Sequence, residues 1–468
     1  MGFKKLFGKK LEVVNIGLER FKDDLEMQNK KVEQVDWTPP ASIDKEILNT
    51  LEANKEKIIA ANEKVLKIIL NGKPFLVDLD IAGNVIPGMK DNLLLHSGPP
   101  ITWDRMSGPM KGAMIGAMIY EGKAKNFEEA EKLGASGAFD FAPCHEHNTV
   151  GPMAGVVSAS MPVFVLKNEE YGNYAYCTLN EGLGKVLRYG AYDEETITKL
   201  KWMENVLYPT LKDALKESGK IDLKNLIAQA LHMGDEVHNR NRAGTSLFYR
   251  TIAPAIVKSC KDPEVAAKVL DFINGNDHFF LNLSMPAAKV TLDAARNIDN
   301  SSIVIAMTRN GTDFGLQLAG TKNSWFVGPA LVPDALYFPG FTKEDANPDI
   351  GDSSITETAG LGGFAIAASP AIVQFVGGSA NDAVNYTLTM YEIAFGENNI
   401  YQIPYLNFRG TPTGIDVTKV VEKGILPFID TGVAHKNPGI GQVGAGVLSA
   451  PMEPFVKAAK GLAEQLKK

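Results

Sequence analysis

Cysteine is scarce in this sequence: Cys144, Cys177 and Cys260 are the only three in 468 residues. Odd in number and far apart, they offer no disulfide framework and no Cys-x-x-Cys pair, so a reducing cytoplasm is the expected setting. Long apolar runs are also missing, and none approaches the ~18 residues of a membrane span. The basic stretch Met1 to Lys10 meets no apolar segment of the kind a signal peptide needs. Positive charge is not in excess: 48 Lys and Arg against 55 Asp and Glu leave a net charge of −7. That balance opposes a general nucleic-acid surface, which needs a clustered positive field. A small anionic ligand would need arginines gathered locally against the overall sign. No Walker motif and no Gly-x-Ser-x-Gly elbow occurs. The two glycine patterns starting at Gly360 and Gly439 lack the strand–turn–helix context of a dinucleotide fingerprint.

Glycine (44) and proline (25) are by contrast plentiful, and they fall in short polar-flanked turns, which points to many shaped loops and not to disorder. A chain of this length exceeds one ordinary core, and the pattern of elements reads as a mixed α/β (α+β) protein. Leu11 to Gly17, Leu18 to Lys30 and Val32 to Trp37 form an N-terminal βαβ unit. A long charged helix from about Ile43 to Leu70 and a strand at Phe75 to Asp80 complete a first segment, 1–90. Residues 91–190 read as the first part of a central α/β core, with a helix whose Gly112, Gly116 and Ala117 permit close packing. Residues 191–272 read as an all-helical subdomain with a kink at Pro209. Residues 273–468 return to α/β and end in an amphipathic helix.

The candidate chemistry lies in the loops. Cys144-His145-Glu146-His147-Asn148 is expected to run out of a strand, where alternation would point His145 and His147 to one face, as some metal hydrolases require. Asp235, His238, Asp277 and His278 are candidate further ligands. Cys144 reads either as a nucleophile or, more often for such a residue, as a buried structural thiol. Met233 to Arg242 packs two acids, a histidine, two asparagines and two arginines into ten residues. If helical, it puts Asp235, His238 and Arg242 on one face, where guanidinium forks could grip a planar anion. Asn274 to Asn282 sets Asn276 and His278 against an aromatic wall, and His278 is the histidine best suited to polarise a carbonyl. Asn310-Gly311 reads as a type I′ hairpin turn flanked by Arg309 and Asp313. Asn347 to Gly363 looks like a loop capping a small-residue helix, with Asp352 and Ser353 as caps. Arg409 and Thr411, before the helix from Val417, form a candidate anion seat, with Asp416 as its N-cap.

Taken together, NIGLERF, VDWTPP, GPPITWDRMSGPMKGA, PCHEHNTVGPMAG, YCTLNEGLGKVLRYGA, MGDEVHNRNRAGTS, NGNDHFFLNLS, RNGTDFG, NPDIGDSSITETAGLGGFA, FRGTPTGID and GVAHKNPGIGQVGAG closely resemble the AllG/YlbE-type family along nearly the whole chain. The resemblance implies one subunit of a multi-subunit oxamate carbamoyltransferase of allantoin and purine breakdown, acting with FdrA-type and AllH-type partners. The reaction implied converts oxalurate and phosphate into oxamate and carbamoyl phosphate. It calls for no metal or redox cofactor, and for no membrane or nucleic-acid partner. Carbamoyl transfer needs cations for a phosphate and a carboxylate and a donor for the developing oxyanion. His278, His145, His147 and Arg309 are the expected catalytic groups; Arg105, Asn148, Arg240, Arg242, Asn276, Asp313, Arg409 and Thr411 are the expected binding groups. The Ser-Thr-Arg-Thr and His-Pro-x-Gln motifs of the aspartate and ornithine carbamoyltransferases are absent. Two alternatives stand beside this reading: a metal-dependent amidohydrolase on His145 and His147, and a non-catalytic binding subunit.

Overall fold

Helices and short strands alternate along the chain in the mixed α+β manner the sequence implies. The computed structural model describes residues 13–16, 19–35 and 44–467. Val13–Ile16 and Val32–Val35 pair in parallel across the helix Glu19–Glu26, the βαβ unit expected here. The end of its second strand at Trp37 lies outside the described residues. The expected single helix from Ile43 is two helices, Lys45–Ala53 and Lys55–Asn71. Asn54 breaks it, its side-chain amide donating to the Thr50 carbonyl at 2.9 Å, the local competition that makes asparagine a poor helix-interior residue.

Six sheets of two to four strands occur among the described residues. In one, Pro74–Ile81 lies between Pro162–Asn168 and the short strand Ile221–Asp222, with Tyr174–Thr178 outermost, all antiparallel. In another, Val304–Asn310 and Asp313–Leu318 form a hairpin flanked by Ile350–Gly351 and Phe326–Pro329. At its turn Gly311 alone takes a positive φ, +81°, while Asn310 does not. A type I′ turn through Asn310-Gly311 needs both, so that expectation is corrected although the hairpin forms. Phe428–Ala434 and Gln442–Ser449 make a further hairpin.

The helix Gly108–Tyr120 is buried almost all round, and its glycines are spent on close approach: Pro438 and the Gly190 backbone press against Gly112. The helical stretch after Tyr192 carries one wide π-turn at Met203–Leu207, just before Pro209, where the kink is expected. One apolar core gathers Leu79, Met114, Leu211 and Phe279 from widely separated parts of the chain. A second lies under the C-terminal helix Met452–Leu466 and includes Phe314, Ile415 and Phe455. No helix among the described residues is long and apolar enough to cross a membrane.

Candidate active site

Residues 233–241 are irregular, not helical, and the 18-residue helix starts at Arg242. The expected common face of Asp235, His238 and Arg242 is therefore not formed. The cause is local: Gly234 has φ +90° and Val237 φ +68°. A β-branched residue in the left-handed region is an outlier that persists only where its surroundings impose it. The Asp235 carboxylate then caps the new helix start, accepting from Gly244 N at 2.8 Å. Burial raises Asp235 to about 6, against these donors and Arg240.

The loop folds against the turn that precedes the helix Leu281–Asp293 and against the 3-10 turn Pro370–Ile372. Between them is a cavity of about 190 Å³ lined by Asn239, Arg240, Asn241, Arg242, Asp277, His278, Ala371 and Ile372. Arg240 stands 3.4 Å from Asp235 and Arg242 3.7 Å from Asp277, both ion pairs longer than a good hydrogen bond. The Arg240 Nε is buried without a hydrogen-bond partner. His278 is pulled down to about 3, by burial first and then by repulsion from Arg188 and His238, so its imidazole is neutral at pH 7. Asn276 and Asn180 hold the turn: His278 N donates to Asn276 Oδ1 at 3.1 Å, and Asn180 donates to the His278 carbonyl at 3.0 Å. Four expected site residues, Arg240, Arg242, Asn276 and His278, thus come together.

Behind this cavity lies a buried polar cluster that sequence reasoning did not assemble. His238 Nδ1 is 2.7 Å from Glu357 Oε1. Glu357 also accepts from Gly363 N at 3.0 Å and Asp430 N at 3.1 Å, and its other oxygen accepts from Thr356 at 3.1 Å. Asn239 donates to Asp430 Oδ1 at 2.9 Å, linking cavity and cluster. Burial raises Asp430 to about 7, and burial with repulsion from Asp430 raises Glu236 well above the carboxylate range. An acid inside the apolar run Phe428-Ile-Asp-Thr-Gly-Val was the available signal for Asp430.

The remaining expected residues lie elsewhere. Arg309 is wholly buried, its guanidinium gripping Asp349 through Nε at 2.6 Å and Nη2 at 3.0 Å. It also donates to Thr431 Oγ1 at 3.1 Å, beside Asp430. Arg105 pairs with Asp313 at 2.8 Å. Arg409 pairs with Glu397 at 2.7 Å over the Tyr391 ring, and Thr411 is buried. The helix after it is capped by Asp416 as expected.

Cys144–His147 is a 3-10 turn and not strand, which corrects the geometry read for the two histidines. His145 is buried 3.6 Å from Asp352, and its pKa is well below the usual value, through burial first and then Lys289. His147 instead turns Nδ1 to the Pro87 carbonyl at 2.7 Å. Asn148 closes the turn with φ +55°. None of the three lines the cavity. No group of three or more His, Cys, Asp and Glu that could hold a metal occurs among the described residues. Burial pushes the Cys144 thiol well up, which suits the structural reading and opposes the nucleophile. Asp352 is no helix cap. It accepts from Gly98 N and Gly151 N, each at 2.8 Å, and from the Thr308 hydroxyl, tying three segments together.

Fold and site define a mixed α/β protein with a cavity lined by two arginines and a histidine. A family model described as oxamate carbamoyltransferase subunit AllG matches residues 139–353. The uncharacterized protein YahG of Escherichia coli (strain K12) is 46% identical over 467 residues, 99% of each chain. The oxamate carbamoyltransferase subunit AllG of the same organism is 45% identical over 412 residues, 87% of this chain and 98% of the relative. The crystal structure of a conserved protein of unknown function from Enterococcus faecalis V583 matches with a TM-score of 0.87 and 49% identity, covering 88% of this chain and 99% of that one. The chain belongs to the AllG family.

Proposed function

We propose that this chain is a subunit of an oxamate carbamoyltransferase, interconverting oxalurate plus phosphate with oxamate plus carbamoyl phosphate, and that the cavity between Arg240, Arg242 and His278 holds the anionic substrates. The observation that carries this is the pairing of two guanidinium groups with a neutral imidazole around about 190 Å³. That volume is below the ~300–1,000 Å³ of drug-sized ligands and suits a small one. In phosphorolysis a phosphate oxygen adds to the carbamoyl carbon of oxalurate, the bond to the oxamate nitrogen breaks, and that nitrogen takes a proton. Phosphate and the oxalyl carboxylate are both anions, and arginine pairs with either through two parallel hydrogen bonds. A neutral His278 donates to the carbamoyl oxygen as charge develops there. In this reading the chain works in the cytoplasm with FdrA-type and AllH-type subunits, in an oligomer and without a cofactor of its own.

Titration calorimetry of the chain with oxamate, oxalurate and phosphate tests the ligand class. Removing a charge-assisted hydrogen bond costs ~1.5–3 kcal/mol, so Arg240→Ala should weaken binding at least ~10-fold. Equal affinity for wild type and variant would place the anions elsewhere.

A further inference from the structure

The cavity supplies anion-binding groups and an oxyanion donor, but the transfer also moves a proton on and off the oxamate nitrogen. His278 is not suited to that task, because burial and the nearby Arg188 oppose the imidazolium it would have to become. The buried cluster behind the cavity contains the missing group. Its centre is the pair His238–Glu357, 2.7 Å apart with both side chains buried. Glu357 accepts hydrogen bonds on both carboxylate oxygens, from two backbone N–H groups and a hydroxyl besides the imidazole. An acceptor so occupied requires a donor at His238 Nδ1, so in the neutral imidazole the lone pair sits on Nε2.

Resting on the carbamoyl-transfer reading, we propose that His238 is the general acid–base group of the reaction, working through Nε2, and that Glu357 is its positioning residue. Asn239, next in the chain, lines the cavity, and His278 across it is close enough to His238 to respond to its charge.

The backbone around the pair is built at a cost. Val237, directly before His238, is held at φ +68°, and Gly362, beside Glu357, at φ +55°. A Cβ on Gly362 would overlap Glu357 Oε1 and come within 3.0 Å of His238 Cβ. Only glycine lets the chain pass so close to the pair. Strain at Val237, next to one member of a side-chain pair drawn from distant segments, is the mark of a site held in a required geometry.

In the direction of oxalurate synthesis, Nε2 takes a proton from the oxamate amide nitrogen as that nitrogen bonds to the carbamoyl carbon of carbamoyl phosphate. The carbon–oxygen bond to phosphate breaks, phosphate leaves with the electron pair, and the imidazolium returns the proton to phosphate or water. In phosphorolysis the imidazolium gives its proton to the departing nitrogen as a phosphate oxygen adds. The titratable groups set against His238 are the Glu357 and Glu236 carboxyls, Asp430 and, towards the cavity, His278.

The test uses the complete complex with its partner subunits. In His238→Asn the shorter amide keeps a donor for Glu357 but has no Nε2. Its kcat for oxalurate phosphorolysis should fall ~10²–10⁴-fold, the usual weight of general acid–base catalysis, with KM changed less than ~3-fold. The limb of the pH profile belonging to the imidazole should vanish. Glu357→Gln should shift that limb and lower kcat by at least ~10-fold. If His238→Asn folds, as circular dichroism and melting show, and keeps kcat and the pH profile, the proposal is overturned. Should that variant not fold, ¹⁵N spectra of histidine-labelled wild type decide: an Nδ1–H tautomer at His238 supports the pairing, and an Nε2–H tautomer overturns it. A wild-type complex that makes no carbamoyl phosphate defeats the substrate reading instead, whatever the tautomer.

Discussion

Two arginines that look alike in the sequence end in opposite conditions. Arg309 has no exposure and spends its fork on Asp349, Gly351 and Thr431, whereas Arg242 is 72% exposed and Arg240 half-buried at the cavity. Removing one partner of a buried ion pair costs ~3–5 kcal/mol, because the other charge is stranded. Arg309→Ala should therefore lower the unfolding free energy by about that amount in a urea titration. Arg242→Ala should stay within ~1 kcal/mol of wild type, as exposed ion pairs do, and Arg240→Ala, whose partner Asp235 is buried, should fall between the two. Equal losses at Arg309 and Arg242 would contradict the division between structural and binding arginines.

Titration follows the same residue-scale logic. The fold holds a proton on Asp430 up to about 7, and on Glu236 well above its ordinary value. Both pKa values are raised, so the stability these acids contribute is complete below the ordinary carboxylate range and is lost as pH rises through the folded values. The neutral histidines act with the opposite sign: buried His96, at about 4, and part-buried His278, at about 3, penalise the fold as pH falls below ~6.5. The carboxyls are thus best seen above ~pH 6.5. From there to ~pH 8 the urea midpoint of the wild type should fall, and Asp430→Asn should flatten the slope. A midpoint that rises over this window would show that Asp430 is ionised in the fold.

At the scale of elements, much was legible in the sequence and some was not, for identifiable reasons. The βαβ unit and the small-residue helix Gly108–Tyr120 follow from periodicity and residue size. The His-x-His reading did not survive because Thr149 N closes back on the Cys144 carbonyl at 3.0 Å, curling the segment out of strand geometry. The helix expected across Met233 to Arg242 failed at Gly234 and Val237, where long-range packing imposes left-handed backbone that no local pattern announces. The polar loops were singled out from residue type alone. Which of them met could not be read, since Glu357 and Asp430 reach His238 from 119 residues away and further along the chain. Asp352 is the element-scale tie most open to test. Its loss leaves the amides of Gly98 and Gly151 and the Thr308 hydroxyl unpaired in the interior. Asp352→Ala should cost ~3–5 kcal/mol, and Asp352→Asn less; a cost below ~1 kcal/mol for Asp352→Ala would mean the three segments are held otherwise.

For the whole molecule, a family named for an oxamate carbamoyltransferase subunit coincides with a cavity where two arginines gather in a chain of net charge −7. Near-complete coverage of the relative named a subunit, at 45% identity, supports carrying the subunit role across. The measurement that tests the central claim most directly is carbamoyl phosphate production from oxalurate and phosphate by the chain assembled with its partner subunits. The account predicts product that depends on this chain and falls at least ~100-fold when Arg240 and Arg242 are both replaced by alanine, at ~1.4 kcal/mol for each tenfold. An assembled complex that yields no carbamoyl phosphate, or one that the double variant leaves fully active, would contradict it.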